Sequence, residues 1–213
     1  MNDAASDAVS GYWPSRWPGE DAGPRRTQQP LAGSGPGLDA EHIDVRSREA
    51  IASTMVVLRD PGEVYLLRHT LGPDTIAWVE RIDPITLESI ARSDDLPGGP
   101  TWPGGLAAHA NGDLHVVFGN HAHRLAADLT VLASRALPRR LPYNSFVVVP
   151  DGHLVTKDFG GVLPGQDPAA ADARPAELLA LDPETLEIVA VCEIPEPSIA
   201  RLSADGDHVY VVG

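Results

Sequence analysis

The chain has 213 residues, 43% of them hydrophobic, with a formal charge of −14 and a pI near 4.8. That is enough for one large or two small domains around an ordinary apolar core, while the negative field disfavours phosphate backbones and anionic lipid and so excludes nucleic acid and membranes as general partners. A lone cysteine, Cys192, rules out an internal disulfide, and the lack of an apolar run fit for a secretory signal or a membrane span makes the cytoplasm the expected location.

Residues 1–45 are rich in Pro, Gly, Ser and Asp and read as an irregular arm. Its exception is "GYWPSRWPG" at 11–19, whose Tyr12, Trp13 and Trp17 are too apolar for a solvated tail and are expected to anchor the arm on the domain, the alternative being a role in ligand or partner binding. From about residue 50 short β-branched runs alternate with turn dipeptides, and no segment carries a helical period. Four stretches align as strand, glycine turn, strand: "MVVLRDPGEVYLL", "LAAHANGDLHVVF", "FVVVPDGHLVTKD" and "IARLSADGDHVYVV". Their turn glycines, Gly62, Gly112, Gly152 and Gly206, are spaced by 50, 40 and 54 residues, and each stretch is predicted to be a β-hairpin.

A second hairpin follows each of the first three. "WVERIDPITLESIARSDDLP", "AHRLAADLTVLASRALP" and "LLALDPETLEIVAVCEIP" each give strand, turn, strand and a proline, with Asp83-Pro84 and Asp182-Pro183 suited to the first half of a type I turn. The closing prolines Pro97, Pro138 and Pro195 recur 41 and 57 residues apart. Four strands per unit of about 40 residues is the signature of a β-propeller blade. The predicted fold class is therefore all-β, a propeller of about three and a half four-stranded antiparallel blades at 50–97, 104–138, 144–195 and, incomplete, 198–213. Closure leaves only short protected edges, so the chain reads as an N-terminal portion of a larger propeller, with further blades of the same chain or self-association supplying the rest.

These hairpins resemble the large propeller superfamily that includes quinoprotein-like, YVTN-type and gluconolactonase-like proteins, over residues 50–213. The resemblance implies a ligand face built from the blade-to-blade connections and the turns after each second strand. Here that face receives "PGGPTWPGG" (97–105), "FGNHAH" (118–123), "PRRLPYNS" (138–145), "PEPS" (195–198) and the long insertion 157–175, expected to form a partial lid.

Asn144 in "NSFVVVPDG" resembles the "NGL…PDG" stretch of gluconolactonase-like propellers, whose Asn helps hold a divalent cation. The equivalent positions here are Thr54, Gly104 and Ser198, none of them an acid, so the oxygen set for such an ion is missing. "RIDPITLESIA" and "ALDPETLEIVA" resemble quinoprotein outer hairpins, but Leu87 and Leu186 replace the Gly after Thr and the docking Trp is missing, which removes direct support for a pyrroloquinoline quinone cofactor. His109, His115, His121 and His123 fall within fifteen residues, the last pair on one strand face; without a third ligand at a defined spacing they read as structural, and no metal site is assigned. Lys157-Asp158 reads as an ion pair at the pocket rim or a polar strand end. Trp102 and Tyr143 could stack on a ligand or pack between blades.

The sequence therefore supports a binding scaffold that presents its top face to a small molecule or protein partner, through Trp102, Asn120, His121, Tyr143, Asn144, Lys157 and Asp158. The alternative is a propeller enzyme, a metal-dependent lactonase-type hydrolase or a quinone-dependent oxidoreductase, completed by blades beyond residue 213. The cofactor is unassigned.

Overall fold

The computed structural model describes residues 11–29, 41–42, 44–50, 52–102, 104–143, 146–161 and 173–212. Among these residues fifteen strands form four antiparallel sheets, and the one described helix is a single 3-10 turn, Glu20–Ala22. Among the described residues no helix is long and apolar enough to cross a membrane. Sheet 1 holds β1 (Ser53–Leu58), β2 (Val64–His69), β3 (Thr75–Ile82) and β4 (Ser89–Arg92) in that order, with β5 (Leu96–Gly99) also pairing β3. Sheet 2 is β6 (Gly105–Ala108), β7 (Leu114–Phe118), β8 (His121–Leu125) and β9 (Val131–Ala136); sheet 3 is β10 (Val147–Val148), β11 (Leu154–Lys157), β12 (Ala176–Leu181) and β13 (Ile188–Ile194). Sheet 4 is the pair β14 (Ser203–Asp205) and β15 (His208–Tyr210).

The period-2 alternation of these strands divides their side chains between neighbouring layers. On β7, Leu114, Val116 and Phe118 join Val57, Tyr65 and Leu67 of sheet 1 in one core. Val117 of the same strand turns the other way, into a core with Leu154, Leu179 and Leu181 of sheet 3. A third layer packs Val147 and Val155 of sheet 3 against Leu202 and Ala204. Consecutive sheets thus share apolar faces, and the inner strands are buried on both.

All four hairpin glycines have positive φ, from 56° at Gly206 to 94° at Gly112, the region where a Cβ is costly. The outer turns repeat as well. Asp83 Oδ1 accepts the N–H groups of Ile85 and Thr86, at 2.8 and 2.7 Å, and Asp182 Oδ1 accepts those of Glu184 and Thr185, at 2.9 and 2.8 Å. The same bulge recurs beside each of them, at Arg81/Ile82, Arg124/Leu125 and Ala180/Leu181. Leu87, Leu129 and Leu186 occupy the left-handed position of these turns, at φ 63°, 75° and 60°.

One feature differs from the expected pattern. Sheet 1 has a fifth strand because Ser93 bends the outer strand: its N–H donates to Val79 O at 2.9 Å, and its Oγ accepts from Val79 N at 3.0 Å, before Leu96–Gly99 resumes pairing along Thr75–Ala77. Residues 11–29 of the arm are docked on the sheets through the aromatic residues that the sequence singles out. Tyr12 is buried, its hydroxyl accepts a hydrogen bond from Val148 N at 2.9 Å, and burial pushes its pKa up to about 12. Trp13 packs against the first core and donates from Nε1 to Asp60 Oδ1 at 3.1 Å, under the Arg59 guanidinium at 4.2 Å.

Candidate functional site

The connections after the second strands and between sheets meet at the ends of the strands opposite the hairpin glycines. Glycine permits this approach. A Cβ on Gly119 would overlap Gly98 O, and one on Gly104 would overlap Val117 O. Gly98 O then accepts both Asn120 N and His121 Nδ1, each at 2.9 Å. Because a carbonyl only accepts, His121 carries its proton on Nδ1 and keeps an Nε2 lone pair when neutral.

Around these groups lies a cleft of about 520 Å³, whose polar lining includes Asp74, Asp95, Asn120, His121 and Arg140. Asp74 and Arg140 form an ion pair, both largely exposed, and such a pair holds little energy against an incoming ligand. Below the cleft the imidazoles of His121 and His123 lie parallel, 6.0 Å apart and inclined by 8°, on the shared face the sequence predicts. His123 is buried: Nε2–H donates to Pro97 O at 2.8 Å, and Nδ1 lies 2.8 Å from Ser134 Oγ, whose hydroxyl it accepts when the ring is neutral. Burial is the main reason its pKa falls to about 4.

The remaining predicted residues sit on sheet 3 and the loop that meets it. Tyr143 is joined to the cleft through its N–H, which donates to Gly119 O at 2.7 Å, and its ring is fully buried with a pKa pushed beyond the usual phenol range by burial. It forms an isolated antiparallel bridge with Asp158. Trp102 stacks edge-on against Phe159, centroids 5.1 Å apart.

Lys157, the last residue of β11, and Asp158 are both fully buried, so this polar strand end stands in the interior and not at a rim. Asp158 accepts from Gly160 N at 2.8 Å, Glu177 N at 3.2 Å and Arg139 Nη1 at 3.1 Å. Lys157 donates to Ser198 O and lies 5.6 Å from the Phe159 ring, and burial lowers its pKa to about 8 against the opposing charge of Asp158. Asn144 and residues 162–172 of the insertion lie outside the described residues. Of the positions equivalent to Asn144, Thr54 Oγ1 donates to Leu67 O at 3.5 Å and Ser198 Oγ to Val212 O at 2.5 Å. Among the described residues no group of three or more His, Cys, Asp or Glu side chains is placed to hold a metal.

The seven predicted residues thus divide, apart from Asn144, into an open pair at the cleft, Asn120 and His121, and a packed group of Trp102, Tyr143, Lys157 and Asp158. Sequence reasoning missed Asp74, Asp95, Arg139 and Arg140. The available signal was the pairing of the charged doublets in "SDDLPGG" and "PRRLPYNS" with turn glycines and prolines, which places charge on loops that converge.

No protein-family model and no curated protein matches the chain. Solved structures similar to it include a protein of unknown function from Bacteroides caccae, 16% identical with a TM-score of 0.41. That match covers 64% of this chain and 44% of the other, so the chain spans less than half the length of that protein. The fold is all-β, built from four antiparallel sheets of two to five strands.

Proposed function

We propose that this chain is a propeller-type binding scaffold that takes a small polar molecule in the cleft between sheets 1 and 2. What supports the propeller arrangement is the repetition of a four-stranded meander with equivalent bulges and turns. The site reading is carried by one observation: two carboxylates, an amide, an imidazole with a fixed tautomer and a guanidinium converge on a cleft whose floor is glycine backbone. Asp74, Asp95 and His121 Nε2 accept hydrogen bonds, and Arg140 and the Asn120 amide donate them. That set suits a polyhydroxylated or amine-bearing molecule. The outward faces of sheets 1 and 4, with Val56, Tyr210 and Val212 about half exposed or more, suit contact with further four-stranded units, of this chain or of another copy.

The test is a thermal-shift screen of sugars, polyols and small amines on wild type, followed by calorimetry of any hit on Asp95→Asn and His121→Leu. The reading expects a compound whose binding drops at least about tenfold in both variants. Hits that bind both variants as well as wild type, or a screen without hits, would count against it.

A further inference from the structure

One stretch of the arm serves the first strand of every sheet. Leu58 N of β1 donates to Trp17 O at 2.9 Å, Ala108 N of β6 to Pro18 O at 2.7 Å, Val148 N of β10 to Tyr12 Oη at 2.9 Å and Ala204 N of β14 to Pro24 O at 2.9 Å. These four donors are equivalent. Each immediately precedes the residue that closes its hairpin: Arg59 bonds Glu63, His109 bonds Asp113, Val149 bonds His153, and Asp205 pairs with His208. The first strand of a meander has one edge on its neighbour and one edge free, and the donors of a free edge seek acceptors from added chain.

The arm suits that role chemically. Pro14, Pro18 and Pro24 hold it out of a helix and remove donors that would otherwise need partners. Three of these four acceptors are main-chain carbonyls, and Trp13 N–H to Ala108 O and Ala110 N–H to Gly11 O, at 2.8 and 2.9 Å, add further backbone bonds to the same edge. Its anchors are amphipathic: buried Tyr12, which touches the Ala107 and Val148 core, and Trp13 beneath Arg59. Arg26 clamps the far end, with Nη1 2.6 Å from Glu20 Oε2 and Nε on Leu202 O. Gly11 and Gly19 sit so tightly that a Cβ would strike Val149 O and the Tyr12 ring respectively.

We infer that the free edges of β1, β6, β10 and β14 form a site for a compact, turn-containing peptide rich in aromatic residues and proline, and that residues 11–29, folded around the Glu20–Ala22 turn, occupy it in cis. The site lies at the hairpin ends of the first strands, at the other end from the His121 cleft, and is independent of the ligand assigned there. A linked ligand holds its site at high effective concentration, so the site is closed to outside peptides until the arm is released.

The experiment uses the full chain with a protease site placed in the Gly/Ser/Pro-rich segment 30–40, cut after folding. The cut arm is expected to co-elute with the remainder and to exchange with a dye-labelled synthetic peptide of residues 11–29. The unfolding midpoint should then rise with added peptide, and a peptide carrying Tyr12→Ala and Trp13→Ala should bind roughly tenfold more weakly or worse. Failure of the labelled peptide to exchange, or unfolding of the body when the arm leaves, would make the arm part of the core and overturn the inference. A second measurement needs no cleavage: in the uncut Trp13→Ala protein the amides of Leu58, Ala108, Val148 and Ala204 should lose hydrogen-exchange protection together while Val116 keeps its own. Independent loss at the four amides would also overturn it.

Discussion

His115 makes the stability of this protein depend on mild acid. Its ring is fully buried between sheets 2 and 3, both nitrogens lack a hydrogen-bond partner among the described residues, and the His109 ring lies 5.1 Å away with Arg124 on the paired strand position. Burial first, then those two neighbours, lowers its pKa to about 3. His109 offers no lone pair in return, because its Nε2–H is donated to Gly152 O at 2.9 Å and its Nδ1 accepts from Asn111 N at 3.1 Å. The unfolded chain binds a proton at His115 near pH 6.5, whereas the folded chain resists it until about pH 3. The unfolded state therefore binds more protons throughout that window, and stability, complete above pH 6.5, falls as pH falls.

His123 acts in the same direction down to about pH 4. At 1.36 kcal/mol per pH unit, each histidine removes about 2 kcal/mol between pH 7 and 5, about 4 kcal/mol together. That is a large part of the 5–15 kcal/mol typical of a domain. Urea unfolding followed by tryptophan fluorescence at pH 7.5, 6.5, 5.5 and 5.0 should show this slope in wild type. In His115→Leu the slope should halve, and the variant should gain about 1–3 kcal/mol at pH 7 because an unmade pair of polar contacts has been removed. A flat wild-type profile, or a His115→Leu protein that keeps the full slope, would refute the assignment.

Other expectations follow from single contacts. Leu186, fully buried at φ 60°, should lose about 2–4 kcal/mol on Leu186→Gly, whereas Leu87→Gly, half-exposed at φ 63°, should change stability by less than about 1 kcal/mol since relief of the left-handed backbone offsets lost packing; urea midpoints compare the two. Asp158→Ala leaves Arg139 and two backbone N–H groups short of their acceptor and should cost about 3–5 kcal/mol, read from denaturant unfolding at pH 7. Gly104→Ala drives a Cβ into Val117 O and should lower the melting temperature by more than roughly 5 °C, where Gly62→Ala, open to solvent, gives only its backbone penalty.

The hairpins were legible because their turns depend on side-chain chemistry: Asp83 and Asp182 accept the predicted backbone donors, and the four glycines take the positive φ that only they adopt cheaply. The Leu87 and Leu186 positions were read as departures from a glycine pattern, yet the backbone keeps the left-handed geometry there. At Leu186 and Leu129 burial of the side chain offsets the backbone cost, which local sequence does not reveal. Tyr12 and Trp13 announced that the arm docks; its partners were illegible because the acceptors are mostly carbonyls, common to every residue. Lys157 and Asp158 are neighbours on an extended chain and point to opposite sides, so their adjacency could not signal a pair, and each finds its partner on a different element.

The repeat that makes the architecture readable also explains why the site is hard to read. A residue that recurs in every unit serves the unit, as the four first-strand amides do. The cleft arises where sheet 1 departs from the repeat: Ser93 bends the outer strand, and the segment so redirected supplies Asp95, Pro97, Gly98 and Gly99 to the cleft wall. Gly98 O in turn orients Asn120 and His121. A bend held by one serine thus sets the donor pattern of the site. Ser93→Ala, which removes the acceptor of Val79 N in a buried position, should loosen the His121–Gly98 contact in step with the loss of β5 pairing. Imidazole NMR shifts of His121 that move together with the Ile76 and Ala77 amides would report that coupling, and movement of one set without the other would disprove it.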